Sequence, residues 1–272
     1  MIMRRFHCAA LAAVAVLGFA SMASAADLPT KAPVYNPPVA APYNWSGFYV
    51  GLNAGGAWGR SNDPTSVVAV TLGYFAPAAL PGVNSVGAGQ STNTSGFTGG
   101  VQAGYNWQWG NLVAGIETEF DYFGQKGSSA TGAVYQNTFP IPYMFNSSVR
   151  ADWLFTARPR LGMATGNWLW YGTGGLAVTQ LKANWSFADL QGANESASAS
   201  ATKAGWVVGG GVESALPGKL LLGVEYLYVK FGSVSATSTN LAYSGATYPT
   251  TIFSHSADLS SNIVRVRLSK QF

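Results

Sequence analysis

From Trp45 to Phe272 apolar residues return at every second position, and the residues between them are small, polar or charged. Successive side chains of a strand point to opposite faces, so a period of two means a sheet with two chemically different faces. Phe48, Val50, Leu52, Ala54 and Trp58 alternate with Gly47, Gly51, Asn53 and Gly55. Phe97, Val101, Ala103, Tyr105 and Trp107 alternate with Thr98, Gly100, Gln102, Gly104 and Asn106. The same pattern runs through Leu112–Tyr122, Trp153–Met163, Ala204–Val212, Leu222–Tyr228 and Val264–Phe272. Leu169–Leu181 makes an eighth run in which both sets are apolar, so the pattern leaves its facing ambiguous.

One set carries the charges: Glu117, Glu119, Asp121, Asp152, Arg158, Arg160, Glu213, Glu225, Arg265 and Arg267. The other is rich in aromatics and nearly free of charge. Only 10% of all residues are charged, where a soluble domain has about 25%. An Arg or Lys on a lipid-facing position near the bilayer midplane costs about 2–4 kcal/mol, so in a membrane the charged face must be the inner one. A soluble sandwich or lipocalin-like barrel built the same way would expose far more than the few hundred Å² of contiguous apolar surface that monomers tolerate.

The runs are close to the 9–11 residues of a tilted membrane strand. Gln108–Asn111, Thr165–Asn167 and Pro217–Lys219 are short turns. Ser61–Thr94, Gly124–Ser147, Asn184–Thr202 and Ser233–Asp258 are long and rich in Ser, Thr, Asn and Gly. Three short and four long connections predict an all-β chain, an eight-stranded antiparallel up-and-down transmembrane β-barrel. Both termini then lie on the short-turn, periplasmic side, and the long loops face outward. Closure also removes the open sheet edges that lipid does not tolerate.

Arg4 and Arg5 precede an uncharged stretch from Cys8 to Ala20, and Ala23 and Ala25 take the −3 and −1 places of a cleavage site. Residues 1–25 therefore read as a signal peptide, too short for a spanning helix. Cys8 comes before the apolar run rather than at its end, which argues against a lipoprotein. It is the sole cysteine, so the processed chain has no disulfide framework. Pro29, Pro33, Pro37, Pro38 and Pro42 make residues 26–44 a proline-rich periplasmic linker, and 45–272 form the barrel. The 15 basic and 11 acidic residues are spread thinly, which argues against nucleic acid as a partner.

Measured from the short turns, Glu117, Arg160, Glu213, Glu225 and Arg267 fall at similar depth, with Glu117 and Glu119 across from Arg158 and Arg160. The interior of an eight-stranded barrel is just wide enough for side chains to fill it, so a paired plug is expected. The competing expectation is a narrow channel for water, ions or small solutes, with Gly51, Gly55, Gly104, Gly115 and Gly209 leaving room. No enzyme activity is expected: His255, with Ser254, Ser256 and Asp258, sits in a Ser/Thr-rich loop. With one His and no Cys in the processed chain, no metal site is expected, and no cofactor. A surface haem or ligand site would draw on loop residues such as His255, Tyr243, Tyr248, Tyr143 and Met144. Trp45, Trp58, Trp107, Trp109, Trp168 and Trp170 lie near strand ends, as interfacial girdle residues do.

Val264, Val266, Leu268 and the terminal Phe272 resemble the C-terminal signal read by the barrel-assembly machinery, with Lys270 a departure from it. Ala26-Asp27-Leu28-Pro29, Asn44-Trp45-Ser46-Gly47-Phe48-Tyr49-Val50-Gly51, Gly223–Tyr228 and Asn262–Val266 resemble the small porin-family outer-membrane immunogenic proteins of alphaproteobacteria, which are similar to OmpA/OmpX-type barrels. The resemblance implies a monomer in the outer membrane, in contact with lipid and lipopolysaccharide. It also implies a mainly structural, surface-exposed role, although some relatives are described as haem-binding or as weak pores.

Overall fold

The computed structural model describes residues 43–70 and 72–272. The expected signal peptide and linker residues 26–42 lie outside the described residues. The elements are β1 (Gly47–Asn62), β2 (Thr65–Ala69), α1 (Leu80–Ala88), β3 (Ser91–Trp109), β4 (Leu112–Val134), β5 (Pro142–Thr165), β6 (Trp168–Asp189), β7 (Asn194–Leu216), β8 (Leu220–Ser238), β9 (Ala242–Tyr243), β10 (Ala246–Thr247) and β11 (Thr251–Gln271). The fold is an all-β, antiparallel, barrel-like sheet. β1 pairs with β3, and pairing passes through β4, β5, β6, β7 and β8 to β11, which pairs back with β1. Consecutive strands pair because the connections between them are tight: Gly110 and Gly166 take φ of +59° and +60° in two of the turns, a region that glycine enters without strain.

The strands are longer than the alternating runs. β4 has 23 residues and β5 has 24, so most of Gly124–Ser147 is strand rather than loop. The same is true of Asn184–Thr202, and Ser233–Asp258 keeps only its middle as a connection. Ser61–Thr94 folds into β2 and α1, with β2 pairing with β11 from Thr65↔His255 to Ala69↔Thr251. These stretches read as loops because their outward residues are Ser, Thr, Asn and Gly, which give little contrast with the small inward residues.

While Val68, Val70, Val134, Phe139, Met144 and Leu190 are exposed at the other end, most of the exposed apolar residues lie toward the short-turn end. On β4 they run from Leu112 through Ile116 and Phe120 to Tyr122. Ten residues rising about 3.3 Å each at a tilt near 40° give a band roughly 25 Å tall, the height of the apolar belt of outer-membrane barrels. Of the expected girdle tryptophans, Trp58, Trp107, Trp109, Trp168 and Trp170 are exposed. Trp45 is instead fully buried, its ring packed edge-on against Tyr43 at the short-turn end of the interior. The ambiguous run resolves with Leu169, Tyr171, Thr173 and Ala177 inward and Trp170 and Leu176 outward.

Two strands change phase. On β5, Thr156, Arg158 and Arg160 face inward below a bulge, and Ala151, Val149 and Ser147 face inward above it. Asp152 and Trp153 occupy the bulge side by side, and neither is buried. On β8, Phe231 and then Val234 face inward, with exposed Gly232 and Ser233 between them. The β7–β8 ladder also ends there: it runs from Leu216↔Leu220 to Gly205↔Phe231, and the next pair is Asn194↔Ala242 between β7 and β9. Between these points the backbone ladder of β7 runs on its β6 side alone.

Gly104 pairs directly with Tyr49, and a Cβ on Gly104 would collide with the Tyr49 phenol. The ring thus fills the space a side chain would take, and Tyr171 does the same over Gly211. Gly104→Val should lower the urea midpoint of the protein in detergent micelles by an amount equivalent to about 1–3 kcal/mol of overpacking. Gly56→Val, where the added Cβ meets nothing within 4 Å, should leave that midpoint in place; equal midpoints for the two variants would contradict this packing.

Candidate functional site

Along β4 from its short-turn end, the inward residues are Val113, Gly115, Glu117, Glu119, Asp121, Phe123 and Gln125. The sequence thus places three carboxylates in one segment of the interior, and the neighbouring strands answer at the same level. β5 supplies Arg158 and Arg160, β7 Glu213, β8 Glu225, and β11 Arg265 and Arg267, each at most 3% exposed. Nine of the ten charged residues singled out from the sequence therefore gather in one cluster of five carboxylates and four guanidiniums.

Arg158 Nη2 lies 2.7 Å from Glu117 and 2.9 Å from Glu119. Arg160 grips Glu213 with two parallel bonds of 3.0 and 3.2 Å, and Glu117 is farther off at 3.7 Å. Arg265 reaches Asp121 at 3.1 Å and also pairs with Glu119 and Glu225. Arg267 meets Glu225 at 2.8 Å and pairs closely with Glu117. Every guanidinium thus touches at least two carboxylates, which is what offsets the cost of taking such groups out of water.

Neutral residues complete the cluster. Tyr49 donates to Glu117 at 2.7 Å, and Tyr171 donates to Glu225 at 2.9 Å while accepting from Arg267 at 2.6 Å. Asn106 accepts from Arg160 and Asn53 donates to Asp121, both at 2.9 Å. The Arg160 guanidinium lies 4.7 Å and 5.0 Å from the ring centres of Tyr49 and Tyr171, the geometry of cation–π contact. Sequence reasoning passed over these residues. Tyr49 was detectable, since it falls on the polar parity of its run; Tyr171 was hidden in the ambiguous one. The five glycines expected to leave room do not: at Gly51, Gly55, Gly104, Gly115 and Gly209 a Cβ would strike a neighbouring atom.

Asp152 is the exception. The bulge turns it outward, where it bonds Lys182 at 2.9 Å and pairs with Arg150 on the exterior. Ten charges on one face assumed an unbroken period of two, which a one-residue bulge resets.

Above the charges the interior is mainly apolar, with Phe123, Leu154, Leu181, Leu227, Leu259 and Ile263 all at 0% exposure and Thr98, Thr179 and Gln125 buried among them. Above that lies a polar level in which Asp63 accepts from Thr92 at 2.9 Å and from Ser147. An aromatic level lies at the end away from the short turns, where Phe75, Val83 and Val67 of the β1–β3 connection pack against Phe145, Phe187 and Phe253. Tyr243 and Tyr248 join it, each 5.5 Å from Tyr74. Tyr74 and Tyr135 both donate to Asp189, at 2.5 and 2.8 Å. Burial first, and then that bond, pushes both phenols above the ordinary tyrosine range.

His255 is in β11 rather than a loop, and strand alternation separates it from its sequence neighbours. Ser254 is exposed and Asp258 turns out to bond Asn62, while His255 turns in. Its Nδ1 meets Thr65 at 2.8 Å, its Nε2 meets Glu195 at 3.3 Å, and its ring stacks on Trp185. Both ring nitrogens are thus engaged with neighbouring side chains. In the last strand Val264, Val266 and Leu268 face outward, and Phe272 packs 6.2 Å from Phe48. Lys270, the departure from the assembly pattern, bends its ammonium back to the Gly218 carbonyl.

Residues 11–254 match the family model described as outer membrane protein beta-barrel domain. The 31 kDa outer-membrane immunogenic protein of Brucella melitensis is 37% identical over 82% of this chain and 86% of its own length. The 22 kDa outer membrane protein of Rhizobium leguminosarum is 33% identical over 53% of this chain and 57% of its own. Among solved structures, the outer membrane protease OmpT of Escherichia coli aligns with a TM-score of 0.42 and 8% identity, over 83% of this chain and 97% of that one. The chain belongs to the outer-membrane β-barrel family, with the alphaproteobacterial outer-membrane immunogenic proteins, and its compartment is the outer membrane.

Proposed function

We propose that this chain is a closed, monomeric, eight-stranded up-and-down barrel whose interior is shut, and that its role is structural and surface-exposed rather than transport. The observation that carries this reading is the stacking of the interior: a charged level, an apolar level, a polar level and an aromatic level follow one another along the axis. An ion moving along that axis would first have to break paired charges and then cross a mainly hydrocarbon level whose few polar groups, Thr98, Thr179 and Gln125, replace little of its hydration. On this reading the strand extensions form a rigid stalk outside the membrane, which carries the Tyr74–Tyr243–Tyr248 end above the lipid surface. Val264, Val266, Leu268 and Phe272 serve as the assembly signal on the lipid-facing side of β11.

A narrow channel is the second reading. What favours it is that Arg158 Nε and Nη1 and Arg267 Nε have no hydrogen-bond partner among the described residues, places that suit bound water. Planar-bilayer recording separates the two. The refolded protein should be silent, and Arg158→Ala/Arg160→Ala should stay silent because the apolar and aromatic levels remain; steady wild-type steps would make the chain a small-solute pore.

The cluster should also carry stability. Arg265→Met leaves Asp121 without an ion-pair partner among the described residues and Glu119 and Glu225 with one cation fewer, at a cost of about 3–5 kcal/mol. Urea unfolding in micelles reads it as a lower midpoint at unchanged slope. The stalk is tested separately, since residues 26–272 contain no cysteine. Ser196→Cys should react with a membrane-impermeant maleimide on intact cells; labelling only after the outer membrane is broken would reverse the orientation.

A further inference from the structure

Three basic residues stand side by side on the outer surface of β4, β5 and β6. Lys126 pairs in register with Arg150, and Arg150 with Lys182. Like charges directly opposite one another on a sheet repel, and here the row has a single carboxylate beside it. Asp152 bonds Lys182 and pairs with Arg150, while Lys126 has no acidic partner within 4.0 Å among the described residues. The Arg150 side chain is 65% exposed and that of Lys182 41%. Three cations and one anion leave a local charge of +2 held in a fixed line by backbone pairing.

The surroundings of the row differ above and below it. Below, toward the short turns, is the upper edge of the apolar band, where Phe120 and Trp153 stack with ring centres 6.0 Å apart and Tyr122 is exposed. Lys126 is four residues beyond Tyr122, or roughly 10 Å farther along the axis at the same rise and tilt. Above the row the outward residues on the same three strands are hydroxyls and amides: Ser128, Ser148 and Asn184 in one register row, with Asn146 and Ser186 in the next. They border a groove of about 500 Å³.

Three strands thus present an apolar tier, a cationic tier and a hydroxyl–amide tier in that order away from the membrane core. We propose that this face binds one anionic glycolipid of the outer leaflet, lipopolysaccharide, through the phosphorylated saccharide of its lipid anchor. Acyl chains lie along Phe120, Tyr122 and Trp153. A phosphate sits on the Lys126–Arg150–Lys182 row, where it supplies the counter-charge the row lacks. Sugar hydroxyls meet Ser128, Ser148 and Asn184. A free anion would use the middle tier alone and a neutral lipid only the lowest, so the three together select an amphiphile with an anionic sugar head. The site is one-sided: the register partners flanking the row are Ser95 on β3 and Ser200 on β7. The inference rests on the outward face meeting lipid, and not on the interior being shut.

The test uses the protein refolded into phosphatidylcholine nanodiscs and titrated with diphosphorylated lipid A, with bound lipid read by native mass spectrometry. Lys126→Ala/Lys182→Ala leaves the Arg150–Asp152 pair intact. At about fivefold per basic residue near a membrane surface, it should weaken binding about 25-fold. Arg60→Ala/Lys230→Ala, on the outward faces of β1 and β8, should bind as the wild type does, and dephosphorylated lipid A should bind the wild type as weakly as the double variant binds the intact lipid. Equal loss in both double variants, no loss in the first, or equal binding of dephosphorylated lipid A would overturn the site. Displacement of lipid A by millimolar inorganic phosphate would do the same, marking a plain anion site instead. The mobility shift of unheated samples on denaturing gels reports the folded barrel independently. A lost shift would count against the barrel reading, whereas lost lipid binding with the shift intact bears on this face alone.

Discussion

Four guanidiniums and five carboxylates share one buried cross-section, and that is stable only because each cation is divided among several anions. Arg265 alone serves Glu119, Asp121 and Glu225. Because the charges come from β4, β5, β7, β8 and β11, the arrangement forms only when those strands are in correct register. A slip of one residue in any of them would send its charge into the exterior apolar band. The cluster therefore specifies register as much as it stabilises the interior, a role buried polar groups play elsewhere.

The same demand explains the residues around it. Guanidiniums are wide and planar, so room for them comes from the partner strand: Gly115 stands across from Arg160, Gly55 across from Arg265 and Gly223 across from Arg267. The tyrosines fill the gaps and complete the hydrogen bonding, each over a glycine of the next strand. Above this level the filling becomes hydrocarbon and aromatic, and the side chains that keep it in place come partly from the β1–β3 connection, folded into the outer end instead of standing free.

The alternating runs, the three tight turns and nine of the ten interior charges could be read from the sequence because all are local patterns at a fixed period. The rest depends on what local patterns do not encode. In Asn194–Lys203 the period of two persists as Ser against Ala, a contrast too slight to separate strand from loop. Asp152 was misplaced because a bulge is a single inserted residue with no signature of its own. His255 reads as a loop residue from its Ser/Thr-rich surroundings, whereas it lies in β11 and turns inward. The partners of Arg160 and Arg265 come from strands distant in sequence, so only assembly reveals them.

The interruption of the β7–β8 ladder above Gly205↔Phe231 has a mechanical consequence. Below it, each long strand has a hydrogen-bonded neighbour on both sides, and such a hoop widens only if every ladder gives at once. Above it, the hoop is cut along one line, bridged by side chains such as Asn240 on the Ser196 carbonyl and Ser238 on Glu195. Load applied to the end away from the short turns is then taken up along that line. On the facing edges of β7 and β8 above Gly205↔Phe231 the backbone amides lack the ladder partners that those below have, so an outward pull meets side chains there before it reaches the charged level.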